Sequence, residues 1–312
     1  MSDTSQASVD VVCVIGAGAI GSLFAAHLAR IVPVVVLTRR ADHARALSEE
    51  GLRVSGIHDF SAPLRATARV DDLPEFTLGI VATKTSGIDE AMLALAGHAP
   101  GATMVTIQNG LGAENLVRAH GSWPIVSGTT LMGGTRRTDT HVAYENDAPT
   151  WLGPHEGTPF ARVEQIAGLI ERSGLKARAF PDLRPAQWSK LIFNAAVGSV
   201  SAVTGLPHSR PFVDESGLGA TVHDLIREGQ SVAAAAGIEL EDDPWQLNTR
   251  PFERDRDYSH APSILLDIEA GQPTEADFNI GAVVREADRL GVPVPLTTAL
   301  YRLLKAKEEA RA

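Results

Sequence analysis

The chain has a single cysteine, Cys13, so an internal disulfide is excluded. Cys13 sits inside an apolar run, where a buried, inert thiol is expected rather than a nucleophile. No apolar stretch approaches the ~20 residues that a membrane-spanning helix needs. Positive charge is in deficit: 28 Lys and Arg against 38 Asp and Glu leave a formal net charge of −10, which argues against a general nucleic-acid surface. Neither an H-E-x-x-H segment nor paired cysteines occur, and His155, His208, His223 and His260 lie too scattered for a metal set. The first ten residues lack the basic start and apolar centre of a signal peptide and are expected to form a disordered tail. No internal repeat or low-complexity linker breaks the chain, and a reducing cytoplasm is the compartment this cysteine usage suits.

The 312 residues, 44% hydrophobic and 21% charged, have an ordinary globular composition and are long enough for two domains. The most informative stretch comes first. Residues 11–15 are an unbroken apolar run, as in a strand buried on both faces of a parallel sheet. Gly16-Ala17-Gly18-Ala19-Ile20-Gly21 follows, and helical periodicity begins at once through Leu23, Ala26, His27 and Arg30. In a strand–turn–helix context each glycine of G-x-G-x-x-G has a physical task. The first makes the tight turn, the second admits a pyrophosphate to the backbone, and the third lets helix and strand pack closely. Gly16, Gly18, Ala19, Ile20 and Gly21 are therefore the expected dinucleotide-binding set.

Residues 33–37 form a second buried strand ending in Thr38-Arg39-Arg40, where such folds read the adenine ribose. An NAD site usually places an acid there. Two adjacent arginines suit a 2′-phosphate instead, so NADP(H) is the expected cofactor, read by Arg39 and Arg40. Residues 41–50 read as a helix, and 52–54 and 64–70 as short strands of an insertion. Residues 78–82 are the next buried strand and lead into Thr83-Lys84-Thr85, placing Lys84 at the crevice edge of a doubly wound sheet. A strand at 104–107 runs into the turn Gln108-Asn109-Gly110-Leu111-Gly112, and Asn109 is expected to contact cofactor or substrate. Residues 125–153 break into short β pieces in which parallel order gives way to antiparallel extension, and 160–173 and 177–180 close this half as a helix and a strand.

Beyond Pro185 the β signals stop. Residues 186–203, 211–236, 263–270, 275–290 and 296–310 carry helical periodicity. The fold class expected is thus α/β: an N-terminal Rossmann-type dinucleotide-binding domain over 1–182 and an all-α C-terminal domain over 183–312. Two segments of the helical half carry chemistry. In Trp188-Ser189-Lys190-Leu191-Ile192-Phe193-Asn194, Lys190 and Asn194 lie one helical turn apart amid apolar neighbours, so Lys190 either snorkels to water or is poised in a site. In Pro273-Thr274-Glu275-Ala276-Asp277, the acids read by composition alone as first-turn complements of a helix dipole.

The ordered set GAGAIG, VATKTS, QNGLG, WSKLIFN and PTEADF with Gly281 resembles the ketopantoate reductase family, the 2-dehydropantoate 2-reductases, over nearly the whole chain. The resemblance implies NADPH-dependent reduction of a small 2-oxo acid, with ketopantoate to pantoate the leading reaction. It implies Lys190 as general acid and Glu275 as the carboxylate that holds the substrate near the reacting centre. Lys84 and Asn109 would line the cofactor and substrate cleft, Asn194 would bind the substrate hydroxyl side, and Ser263 its carboxylate. A homodimer is a further implication. The sequence also departs from the family: Gly198 stands where a second asparagine is common, Ile280 separates Asn279 from Gly281, and Val294-Pro295-Leu296-Thr297 lacks a Glu-Asn pair. These departures keep open a reductase acting on a different 2-oxo or 3-oxo carboxylate. A non-catalytic NADP(H)-binding sensor is the alternative from another class, although it would have no use for Lys190 and Glu275.

Overall fold

The computed structural model describes residues 9–310. Residues 1–8 of the expected tail lie outside that range, and the Asp10 N–H donates to Thr77 Oγ1 at 3.0 Å. Contacts divide the described chain into two units, one of residues up to 108 and 112–183, the other of residues 109–111 and from 184 onward.

The first unit carries twelve strands among the described residues: β1 (Val12–Ile15), β2 (Val34–Leu37), β3 (Leu52–Gly56), β4 (Phe60–Ala62), β5 (Arg65–Thr67), β6 (Leu78–Val81), β7 (Thr103–Thr106), β8 (Ile125–Thr130), β9 (Gly133–Thr138), β10 (His141–Asn146), β11 (Thr150–His155) and β12 (Ala177–Ala179). Eight of them form one sheet in the order β12-β11-β8-β7-β6-β1-β2-β5. From β8 to β5 every pairing is parallel; β11 runs antiparallel to β8, and β12 parallel to β11. The helices of this unit are α1 (Ala19–Leu28), α2 (Ala41–Glu50), α3 (Ile88–Ala94), α4 (Ala113–Arg118) and α5 (Phe160–Arg172).

Strand β1 shows why its residues are apolar without alternation. Val12 and Val14 enter a core shared with α1 and α5, while Cys13 and Ile15 enter another shared with α3 and α4. A strand covered on both faces has no polar side to show. Cys13 is wholly buried, and burial pushes its thiol up to about 12, far from the thiolate that reactivity requires.

The insertion differs from the expected pair of short strands. Residues 65–67 leave it as β5 and pair with β2 at the edge of the main sheet. β3 and β4 instead join β9 and β10 in a second, four-stranded sheet, ordered β4-β3-β10-β9. β9 is polar and largely exposed, so its sequence lacks the alternation that marks a half-buried strand.

The second unit is helical: α6 (Arg184–Thr204), α7 (Leu218–Ala235), α8 (Pro244–Arg254), α9 (Ser263–Glu269), α10 (Ile280–Leu290) and α11 (Pro295–Glu309). α6 is its axis, buried almost throughout and packed against all five others. The helix expected over 211–236 is broken: Arg210–Val213 is a short 3₁₀ turn, and α7 starts only at Leu218. α8 has no counterpart in the sequence reading because Pro244 and Pro251 mask its period. His208 is a core residue here. Its Nε2 lies 2.8 Å from Asn248 Oδ1, and Phe212, Phe252 and Tyr258 meet its ring edge to face. No helix among the described residues is long and apolar enough to cross a membrane.

Candidate active site

At the end of β1 the chain turns through Gly16, whose φ of +103° is a conformation side chains rarely adopt. A Cβ on Gly21 would lie 2.1 Å from the Gly16 carbonyl oxygen, so the third glycine is what lets α1 close onto the turn. Gly18, by contrast, has ordinary extended geometry and nothing within 4 Å of a Cβ placed on it. It precedes α1 with no side chain capping the helix, leaving the first N–H groups for an anion. The Ser22 and Thr83 hydroxyls are buried without a hydrogen-bond partner among the described residues. The turn thus offers open space, unclaimed helix N–H groups and unspent hydroxyls, which fits a dinucleotide pyrophosphate.

The two arginines after β2 are not equivalent. Arg40 pairs with Asp139 in the β9–β10 turn and lies 3.7 Å from Asp42, whereas Arg39 is exposed with no ion pair among the described residues. Lys84 follows β6 and is exposed. Gln108, one residue before Asn109, has a structural role that its residue type does not announce. Its amide donates to the Val81 and Thr83 carbonyls at 2.8 and 2.9 Å and accepts from the Ile107 N–H, tying the ends of β6 and β7 together. The signal in the sequence was a glutamine directly after an apolar strand.

In the helical unit, Lys190 is only 6% exposed and donates from Nζ to Asn109 Oδ1 at 2.8 Å. Desolvation pulls its pKa down to about 8, against the raising effect of the Glu275 charge. Snorkelling to water is therefore ruled out. Glu275 does not lie in the first turn of a helix as composition suggested. α10 begins at Ile280, and residues 275–279 make a separate turn in which Glu275 O accepts from the N–H groups of Phe278 and Asn279. That turn abuts the segment carrying Asn109: Leu111 N–H donates to Phe278 O at 2.9 Å, and a Cβ on Gly110 would sit 1.8 Å from the same oxygen. Asn109 and Glu275 thus come from two stretches joined through their backbones, and α6 is tied to the first by Lys190 itself and by the Gln187 amide, which donates to Gly110 O at 3.3 Å.

Asn194, half-buried, follows Lys190 by one turn of α6, and Ser263 is exposed at the start of α9. One turn past Asn194 the face of α6 changes. A Cβ on Gly198 would lie 3.2 Å from Ile264 Cγ2, so α9 packs where another side chain would stand.

Two family models cover most of the chain, ketopantoate reductase PanE/ApbA over residues 12–157 and its C-terminal counterpart over residues 182–308. The chain belongs to the ketopantoate reductase family. This is a family of oxidoreductases, and its two-part architecture is the one described above. Among curated relatives, the 2-dehydropantoate 2-reductase of Pyrococcus abyssi is 28% identical over 296 residues, covering 95% of this chain and 97% of that protein. Among solved structures, a PanE/ApbA family ketopantoate reductase from Ralstonia eutropha JMP134 matches with a TM-score of 0.86 at 26% identity, over 96% of this chain and 99% of that one. A D-mandelate dehydrogenase structure with NADH and anilino(oxo)acetate shares the fold, with a TM-score of 0.87 at 21% identity over 96% of this chain and 99% of that one.

Proposed function

We propose that this member of the family reduces a 2-oxo acid to the 2-hydroxy acid with NADPH, Lys190 being the general acid and ketopantoate the first candidate substrate. The observation that carries the reading is the buried Lys190 ammonium, donating to Asn109 and subject to the Glu275 charge. A nicotinamide dinucleotide held at Gly16, Gly18 and Gly21 supplies the hydride when bound. As negative charge grows on the substrate carbonyl oxygen, Lys190 stabilises it and passes its Nζ proton to that oxygen, leaving a neutral amine that solvent reprotonates. Asn109 fixes the direction of the Nζ–H bonds. Glu275 keeps the lysine charged at neutral pH and orients the substrate, with Asn194 and Ser263 supplying further polar contacts.

Activity should therefore depend on pH in a set direction. The acid must carry its proton, and its pKa is lowered to about 8, so kcat/KM holds below that value and falls as pH rises through it. A pH–rate profile with no alkaline loss between pH 7 and 10 would contradict the assignment.

For the cofactor, Arg39 is the group available to a 2′-phosphate. Its Arg39→Ala variant should raise KM for NADPH about tenfold, the lower end of a charge-assisted hydrogen bond on an exposed side chain, and leave KM for NADH nearly unchanged. Equal changes for both cofactors would remove Arg39 from that role.

A second reading has an observation of its own. A Cβ on Gly198 would meet Ile264 Cγ2 at 3.2 Å, so the position one turn past Asn194 is apolar, which favours a 2-oxo acid whose remote part is apolar. The deciding experiment is NADPH oxidation across a panel of 2-oxo acids that includes ketopantoate. Preference for an apolar acid favours this second reading and keeps the mechanism. Tight NADPH binding without oxidation by any acid identifies a sensor.

A further inference from the structure

The turn that carries Glu275 is held from outside by the last helix. Glu308 of α11 accepts from the Thr274 N–H at 3.2 Å and from the Thr274 hydroxyl. The Tyr301 hydroxyl donates to Asp277 Oδ1 at 2.5 Å, and Lys305 Nζ donates to Asp277 Oδ2 at 3.1 Å. Lys305 also lies 2.7 Å from Glu308 Oε2, which joins the two anchors into one network. Arg285 of α10 completes it by donating to the Asp277 carbonyl at 2.7 Å. Thr274 Oγ1 in turn accepts from the Ala276 N–H, closing the turn around Glu275.

Surface ion pairs ordinarily contribute little, and the Asp277 side chain is 48% exposed, but the Glu308 end of the network is largely withdrawn from water. The Glu308 side chain is only 16% exposed. The Tyr301 ring also needs a bare backbone beside it, since a Cβ on Gly281 would meet that ring at 3.0 Å. Residues 274 and 277 are thus both anchored to α11, and Glu275 stands between them. The Glu275 charge acts on Lys190, and the charges around the turn itself include Asp277, Arg285, Lys305 and Glu308.

We propose that Tyr301, Lys305 and Glu308 are positioning residues that hold the 274–277 turn so that Glu275 presents its carboxylate to Lys190. The catalytic consequence rests on Lys190 being the acid; the positioning itself does not. Loosening the clamp moves the carboxylate away and removes part of what keeps the lysine protonated.

The test follows Lys190 directly, by NMR titration of the full-length protein labelled with ¹³C-lysine, the resonance being assigned by its loss in Lys190→Arg. Glu308→Ala and Tyr301→Phe should each move that titration to lower pH and reduce kcat about tenfold, short of the ~10² that a 1 Å misplacement can cost. KM for NADPH should stay unchanged. Glu308→Gln, which keeps an acceptor for Thr274, should recover much of the loss. An unmoved Lys190 titration in folded Glu308→Ala and Tyr301→Phe overturns the proposal. Should Glu308→Ala fail to fold, Tyr301→Phe, which removes one oxygen, decides alone. Normal turnover in Lys190→Ala together with a shifted Lys190 titration in the clamp variants would leave the positioning standing and remove the acid assignment.

Discussion

Replacing Lys190 with alanine should lower turnover by about 10²–10⁴, the range general acid catalysis contributes, while NADPH still binds. The expectation follows from how this amine is kept. At 6% exposure an ammonium pays heavily in lost hydration, and burial alone favours the neutral form. The Glu275 charge opposes that, and Asn109 accepts a hydrogen bond at 2.8 Å, so a desolvated but still protonated donor persists near neutral pH. Such a group is worth more to a developing alkoxide than a solvated lysine, because it needs no reorganisation when charge appears. Alanine removes both the proton and the charge. Steady-state kcat, with NADPH binding followed by fluorescence, checks the prediction. Near-normal turnover would end Lys190's claim to be the acid.

Gly18→Val should weaken NADPH binding by about 10² or more without unfolding the protein. Gly18 has extended geometry that valine adopts readily, and a Cβ there meets no protein atom within 4 Å. The space the valine would fill is the approach to the uncapped start of α1. Loss of two charge-assisted hydrogen bonds at roughly 1.5–3 kcal/mol each amounts to about 3 kcal/mol or more, hence the hundredfold. Gly21→Val is the contrasting control. Its Cβ would collide with the Gly16 carbonyl oxygen, so a lower melting temperature is expected along with lost binding. Calorimetric titration with NADPH and thermal unfolding separate the two effects. Unchanged NADPH affinity in Gly18→Val would mean that the pyrophosphate does not approach there.

The start of the chain was legible because its signals are local. A five-residue apolar run, a glycine turn and a helical period are each set by neighbours in sequence, and one strand buried on both faces requires no distant partner to be recognised. The same holds for α6, whose helical period over 186–203 falls within Arg184–Thr204, although its place as the axis of the helical half is a property of the tertiary structure. Failures occurred where a residue's state depends on something far along the chain. β9 is polar and exposed and exists because β10 pairs with it, and β5 belongs to the main sheet because β2 accepts it. α11 lacks a polar pair after Pro295, yet its first N–H groups are satisfied by Glu228 of α7, which accepts from Leu296 and Thr297.

The candidate site divides along the same line. Sequence alone determined a strand, glycine turn and helix at Gly16 to Gly21, an arginine pair after the second strand, and a lysine on an apolar helix, since each follows from residue type and spacing. Tertiary structure decided which of these are spent elsewhere and which converge. It gave Arg40 to Asp139 and left Arg39 exposed. It moved Glu275 from an expected helix cap to a turn clamped by α11, and brought Asn109 to Lys190 across 81 residues of chain. The physical reason is burial: a lysine's proton, an arginine's availability and a carboxylate's reach depend on which distant groups exclude water from them, and spacing along one stretch of chain does not encode that.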